Sequence, residues 1–435
     1  MDDTNLVTWS STARENCRKL TTAHHQCEEW AKENGAKFEP SKYQLIHFTR
    51  RRRHAREDLA SSVQIGTHQV APQEKEIRVL GVWLDPALTW KEHIAQAIRK
   101  GNAASEALSR LATSTWGPTA CNTRLLYTAV VRPTLLYGSQ EWGMRPDGKP
   151  LAKTIIASIH VTQNACLRKI TGGYKRTSRA ALERETNVMP IDLYATIGRY
   201  QRATKIRAHQ VEKKISNTAD AVWRSMRSAG ALGTRPLTNR ELTIAKVDEL
   251  IDRAETQPNG ARPPRQQTRK SKARLIKEWG QAEWQSRWER AKQRIPGQYR
   301  ATTWLTPWTQ DTRMLYAGLS KAEATALFLM RTEVIGLNAW LAAVRVPSVL
   351  PACSCGWHAQ TVRHVLLHCT RHDRADLLRK CGSGRLEDIL RRPSSAKHAA
   401  RWLVRSRVME QFRLAVEIAE EDTGKYQAFP EAETW

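Results

Sequence analysis

Cys353, Cys355, His364 and Cys369 follow one another in the spacing C-x-C-x8-H-x4-C. Three thiolates and an imidazole are a donor set that suits a tetrahedral Zn2+ ion. Gly356 stands just after the paired cysteines, where a residue free to adopt positive φ can turn the chain back. No secretory signal follows Met1, since residues 2 and 3 are both acidic and polar residues interrupt any apolar core. The cysteines are therefore expected to be reduced, which favours ligation over disulfide pairing. The second half of the motif sets a geometric condition. Residues five apart on a straight helix are separated by about 140°, so His364 and Cys369 converge only if the helix tightens or ends near His368. His368, on the same helix face as His364, is the alternative ligand, with His358 and His372 in reserve. The competing reading is a buried helix with incidental thiols. Cys17, Cys27, Cys121 and Cys166 sit singly in helical patterns and read as small core residues, and Cys381 lies just beyond the cluster.

A second constellation is Asp2-Asp3, a carboxylate pair that could hold Mg2+ in a metal-dependent enzyme but that, alone, is more often a helix cap or a solvated turn. The third is basic. Arg50, Arg51, Arg52 and Arg53 form one run, and Arg269, Lys270 and Lys272 form another. Such runs are commonly solvated loops. Here they stand in a chain with 70 basic and 43 acidic residues and a formal charge of +27. A polyanionic partner follows from that balance, and RNA and DNA are the expected ones, since neutralising phosphates releases counterions. A membrane is not expected: the apolar runs from 125 to 131 and from 339 to 344 fall far short of the ~20 residues that span a bilayer. The expected location is intracellular, nuclear or cytoplasmic.

The elements that must position these residues read as mainly α with a small β element, an α+β chain. Residues 11–34 carry small and apolar side chains at helical spacing and stop at Gly35. Alternating β-rich segments follow at 43–48, 63–70 and 77–84 and predict a small sheet. Long helical patterns take over from Trp90 to about Ser228, with a bend or break predicted at Pro133. A proline- and glycine-bearing basic stretch at 257–272 reads as a mobile linker. Trp279, Trp284 and Trp288 recur at near-helical spacing. Stacking of nucleobases is one role for them, and packing of an amphipathic helix is the favoured one. A last apolar helix is predicted over 322–343.

Several of these segments also share a family pattern. Asp2-Asp3-Thr4-Asn5-Leu6, the helix ending in Trp30-Ala31 and the run from Phe38 to Thr49 resemble the palm of fungal LINE-like (non-LTR) retrotransposon reverse transcriptases. Val79-Leu80-Gly81-Val82-Trp83-Leu84-Asp85 with Leu88-Thr89-Trp90 looks like that family's next strand pair, which supports the primer end and makes Gly81 a nucleic-acid contact. Leu135-Leu136-Tyr137-Gly138, Trp142 and Gly172-Gly173-Tyr174 with Arg176-Thr177 resemble the family's helical thumb and the segment after it. The Cys-Ser-Cys-Gly segment and the run from Gln360 to Cys369 resemble the family's C-terminal zinc knuckle. The likeness spans residues 1 to about 200 and about 275 to 375.

The resemblance implies RNA-directed DNA polymerase ancestry, with Asp2 and Asp3 as Mg2+ ligands in the parent enzyme and zinc at the knuckle. It implies this order: partial palm 1–90, helical thumb and connection 91–229, basic linker 230–275, tryptophan-rich helices 276–350, knuckle 351–375 and helical tail 376–435. The fingers and the strand bearing the other essential aspartate would precede Met1. The chain alone is accordingly expected to bind RNA and DNA without polymerase activity, and association with other retrotransposon proteins is a further expectation. The Asp-Gly-Ser strand of the ribonuclease H domain found in related elements does not occur. Two other readings stand beside this one: a stand-alone zinc-knuckle nucleic-acid-binding protein, and a retrotransposon remnant without function.

Overall fold

The computed structural model describes residues 4–49, 56–111, 113–143, 151–206, 210–228, 233–235, 237–255, 269–297 and 300–418. It is mostly helical, with two small antiparallel hairpins. The chain divides into two compact units, each assembled from three separate stretches. One takes Met1–Ala97, Tyr137–Ile155 and Ala195–Lys277; the other takes Ile98–Leu136, Ile156–Tyr194 and Glu278–Trp435. The expected domains ran in sequence order. The units do not, because helical periodicity reports which face of a helix is buried and not which distant segment covers it.

In the first unit the helix Ala13–Glu33 starts on Thr12, whose side chain accepts from the Glu15 amide. The Asp58 carboxylate, 45 residues away, accepts from the Ala13 amide at 2.9 Å and so caps the same end. Cys17 packs with Leu45 and Val63 in a small core. Strands β1 (Val63–Ile65) and β2 (His68–Val70) form one hairpin, and β3 (Ile77–Val79) and β4 (Val82–Leu84) the other. The single strand expected over 77–84 is thus two, split by Leu80 and Gly81 at φ +48° and +81°. Positive φ at both positions is what a two-residue turn of type I′ requires. Tyr137 holds this turn, donating its hydroxyl to the Leu80 carbonyl at 2.8 Å and standing 3.1 Å from where a Gly81 side chain would begin. The strand expected over 43–48 is not formed: only Leu45 makes an isolated bridge, to Pro72. Leu45 packs into the small core while its carbonyl accepts from the Gln73 amide at 2.7 Å, and the Thr49 amide bonds the Pro86 carbonyl at 2.9 Å, so the backbone bonds of this segment go to separate loops and not to one partner strand.

The second unit is built around the helix Lys321–Thr332, which is buried on every side and closed at its start by a reciprocal Ser320–Glu323 capping box. The apolar helix predicted over 322–343 ends early, because Glu333 adopts φ +55° and stops it; Asn338–Ala343 is a separate helix. Gly172 and Gly173 let the chain meet this central helix at close range. A Cβ on Gly172, at φ +68°, would meet the Thr325 side chain at 2.3 Å, and one on Gly173 would meet the Phe328 ring at 2.6 Å. Lys321 is buried and donates to the carbonyls of Lys169 and Ile170 at the end of the Lys153–Thr171 helix. Burial pushes its pKa down to about 8. At Pro133 the helix does change form: Tyr127–Val131 widens into a π-turn in which the Arg132 amide bonds the Tyr127 carbonyl. Trp284 and Trp288 take the core role, Trp288 stacking on Trp304 at 4.3 Å and Trp284 meeting Trp308 edge-on at 5.1 Å, while Trp279 is half-buried. The expected linker ends sooner than residue 272, since Arg269–Gln293 is helical; residues 256–268 lie outside the described set.

The same unit brings together a group of ionisable side chains, His160 and Glu183 among them buried, that pairwise spacing along the chain does not reveal. Asp192 accepts from Arg287 at 2.8 Å and lies 3.1 Å from His160 Nε2. Glu183, buried and 3.9 Å from Arg179, is near this group. Burial pushes the Glu183 carboxyl up to about 8; Arg179 and Arg287 oppose that shift and Asp192 adds to it. A carboxyl with a raised folded-state pKa contributes stability that is complete below its unfolded value near 4.5 and is lost as pH rises through about 8. Replacing Glu183 by Gln removes this titration. Relative to the native chain, E183Q is expected to gain stability on going from pH 5 to pH 8, on the order of a few kcal/mol. Urea unfolding of both proteins at the two pH values measures this, and parallel pH profiles would refute it.

Candidate metal centre

The first two thiols are presented by a tight loop. Gly356, at φ +91°, reverses the chain, its amide bonds the Cys353 carbonyl at 3.0 Å, and the Cys353 amide bonds the Trp357 carbonyl at 2.8 Å. That closure explains why glycine is needed at 356: a side chain there would strain the backbone. The loop is tied to its surroundings by Asn338, whose side-chain amide donates to the Ala352 carbonyl at 2.8 Å, and by the Gln360 amide, which bonds the Pro351 carbonyl at 2.8 Å.

The other two candidate donors come from a short helix of unusual pitch. His364–His368 is a π-turn, entered through Thr361, whose hydroxyl accepts from the His364 amide at 3.1 Å. The Cys369 amide bonds the His364 carbonyl at 2.8 Å, five residues back, and Cys369 itself is extended. The widened turn followed by the extended residue meets the geometric condition set by the x4 spacing. Val362, Val365 and Leu366 on this segment belong to the main core, so burial holds the turn in place. His368 is exposed, as is His358, and neither joins the cluster.

The donor atoms of Cys353, Cys355, His364 and Cys369 all lie within 4.8 Å of one another, forming a group that could hold a metal ion. Cys353 Sγ and Cys369 Sγ are 3.8 Å apart, and Cys355 Sγ is 3.2 Å from His364 Nε2. A disulfide is excluded at that separation, since bonded sulfurs lie ~2.05 Å apart. A Zn–S bond of ~2.3 Å gives a tetrahedral edge of roughly 3.8 Å between two sulfurs. The sulfur pair therefore already has the spacing that a single ion would impose. The local electrostatics differ among the four. A hydrogen bond from the Trp357 backbone lowers the Cys355 thiol, whereas burial raises that of Cys369. Burial, reinforced by His368, Arg374 and His358, lowers His364 and favours the neutral imidazole that ligation requires. All four positions of a tetrahedron would be filled by protein, leaving none for water or substrate. Such a closed set is structural and not catalytic.

Of the other residues singled out in the sequence, Asp2, Asp3 and Arg50, Arg51, Arg52 and Arg53 lie outside the described residues. Arg269 and Lys270 open a helix with their side chains outside the described set, and Lys272 is half-buried on that helix. Gly81 forms the β3–β4 turn. Sequence spacing did not point to Trp357, whose ring lies parallel to that of His364, with centroids 5.6 Å apart and planes 6° from parallel. Its position directly after Gly356 was the available signal. Comparison with protein-family models, with curated proteins and with solved structures finds no match for this chain. Among the described residues, no helix is long and apolar enough to cross a membrane.

Proposed function

We propose that this chain binds nucleic acid and that its C-terminal knuckle is held by a structural zinc ion. Convergence of Cys353, Cys355, His364 and Cys369 within 4.8 Å is the observation that carries the reading. Three soft thiolates and one imidazole select zinc over magnesium or calcium, which take oxygen ligands. The ion would cross-link the loop around Gly356 to the His364 turn, with the four residues as its only ligands.

The charge of +27 supports a polyanionic partner. Descent from a LINE-like reverse transcriptase accommodates both features and the motifs around Gly81 and Gly172, and RNA and DNA are then the partners. Polymerase catalysis is not proposed, because two-metal phosphoryl transfer needs carboxylates converging from at least two strands and the resemblance supplies only the Asp2-Asp3 pair.

Binding of single-stranded RNA by the zinc-loaded chain, followed by fluorescence anisotropy across a KCl series, tests the proposal. Neutralisation of even four or five phosphates gives a log–log slope of about −3 for a single strand. A slope near that value or steeper is expected. A flat salt dependence, or no binding at low salt, overturns the nucleic-acid reading. Zinc well below one ion per chain, in protein purified without chelator, overturns the metal.

A further inference from the structure

We propose that Trp357 is a stacking platform for an unpaired nucleobase, so that the knuckle recognises single-stranded nucleic acid; this deepens the nucleic-acid reading above and rests on it. Trp357 is 48% exposed although its backbone is fixed by the bond from the Cys353 amide. Its indole lies flat against His364, which supports it from beneath, with the His358 ring at 5.0 Å and tilted by 37°. His364 is itself one of the four converging donors, so an ion held there would immobilise the imidazole on which the indole rests. The result is a rigid aromatic ring with substantial accessible surface, held at little conformational cost.

The surroundings specify the partner's charge. No aspartate or glutamate occurs between Glu333 and Asp373, whereas that interval holds Arg345 and Arg371, along with Arg363, which is paired with Glu387 from outside it. His358, His368 and Arg374 lie close enough to His364 to act on it electrostatically. An anion is the natural complement of this segment, and the indole requires a flat apolar group as well. Nucleotides supply both, a phosphate and a base, in one repeating unit. Bases in a duplex already have their faces covered by neighbours, so a single exposed indole discriminates in favour of unpaired strands. An acidic peptide would satisfy the charge but offers no plane to stack.

Three probes separate the contributions, each titrated against the zinc-loaded full chain at fixed salt: a short oligouridylate, an abasic strand of equal length, and a duplex. Loss of one stacked base weakens binding by about fivefold or more. Trp357→Ala is expected to show that loss on the oligouridylate alone, and Trp357→Phe to retain most of the affinity. Affinity of Trp357→Ala for oligouridylate within about twofold of the native chain would overturn the stacking role. An equal loss on the abasic strand would overturn it too, by assigning Trp357 to structure. Should Trp357→Ala lose its zinc, cross-linking of the native chain to an iodouridine-bearing strand decides: an adduct on Trp357 supports the site, and adducts confined elsewhere sink it. Native chain that binds none of the three probes removes the nucleic-acid reading itself, and this inference with it.

Discussion

Cys369→Ser is expected to reduce bound zinc from one ion per chain to a small fraction of that, and to loosen the segment from Pro351 to His372. Cys369 is fully buried and stands 3.8 Å from Cys353, so its loss removes one corner of the tetrahedron and leaves a second thiol facing a hydroxyl. A structural zinc contributes roughly 10–16 kcal/mol in isolated zinc-finger peptides. The local effect here is smaller than that, because Val362, Val365 and Leu366 anchor the same segment through the core whether or not an ion is present. Increased amide exchange from 351 to 372, with protection retained in the Lys321–Thr332 helix, is the expected signature. Two paired controls make the result specific. Cys381→Ser changes a buried thiol of the same unit that lies outside the cluster and bonds the Ser395 carbonyl, so zinc stoichiometry should hold. His364→Ala should release the metal and His368→Ala should not. Equal zinc loss in both histidine variants, or undiminished zinc in Cys369→Ser, contradicts the ligand set.

The four converging donors were legible in the sequence because they fall within one short stretch, where spacing limits geometry. The pitch of the turn was not. Only the described backbone shows a π-turn at His364–His368 ending in an extended Cys369, which decides between His364 and His368. Helical segments such as Ala13–Glu33 and Lys91–Leu111 were legible for the same local reason, since their apolar periodicity runs over many residues. Short strands were not. Whether 77–84 is one strand or two depends on two positive φ angles, at Leu80 and Gly81, and leucine gives no hint of that conformation. Nor does local pattern show that Pro393–Arg405, in a tail of little apparent information, packs on the central Lys321–Thr332 helix. Gly172-Gly173 was visible as a motif, but its physical reason, approach to Thr325 and Phe328, needs a partner some 150 residues away.

Separation along the chain hid a fully buried ion pair, and it carries the second large prediction: Arg331→Met is expected to destabilise the unit containing the knuckle by about 3–5 kcal/mol. Arg331 and Glu185 are both completely buried, with Arg331 Nε and Nη2 donating to the two carboxylate oxygens at 2.9 and 2.8 Å. The hydroxyls of Thr303 and Tyr316 also donate to Glu185, and Arg331 reaches Thr306 and the Leu390 carbonyl. Burial by itself would raise the Glu185 carboxyl, but Arg331 and these hydrogen bonds outweigh it and hold the pKa below the ordinary value. The carboxylate thus contributes stability above its unfolded pKa that is lost as pH falls through the folded value. Met at 331 leaves that charge with two hydroxyl donors and no cation bonded to it, only the weaker influence of Arg184, and an undercompensated buried charge costs more than the pair contributes. Combining Arg331→Met with Glu185→Leu removes both charges, and the double variant is expected to be more stable than Arg331→Met alone. A double-mutant cycle by urea unfolding measures the coupling. Additive single effects would show that the two side chains do not act as a pair. Zinc content separates this framework from the metal centre: neither residue is near the donor set in the way Cys369 is, so the folded variants should retain one ion per chain. Loss of zinc from Arg331→Met under conditions where it remains folded would mean instead that the pair positions the knuckle, through the end of the Lys321–Thr332 helix.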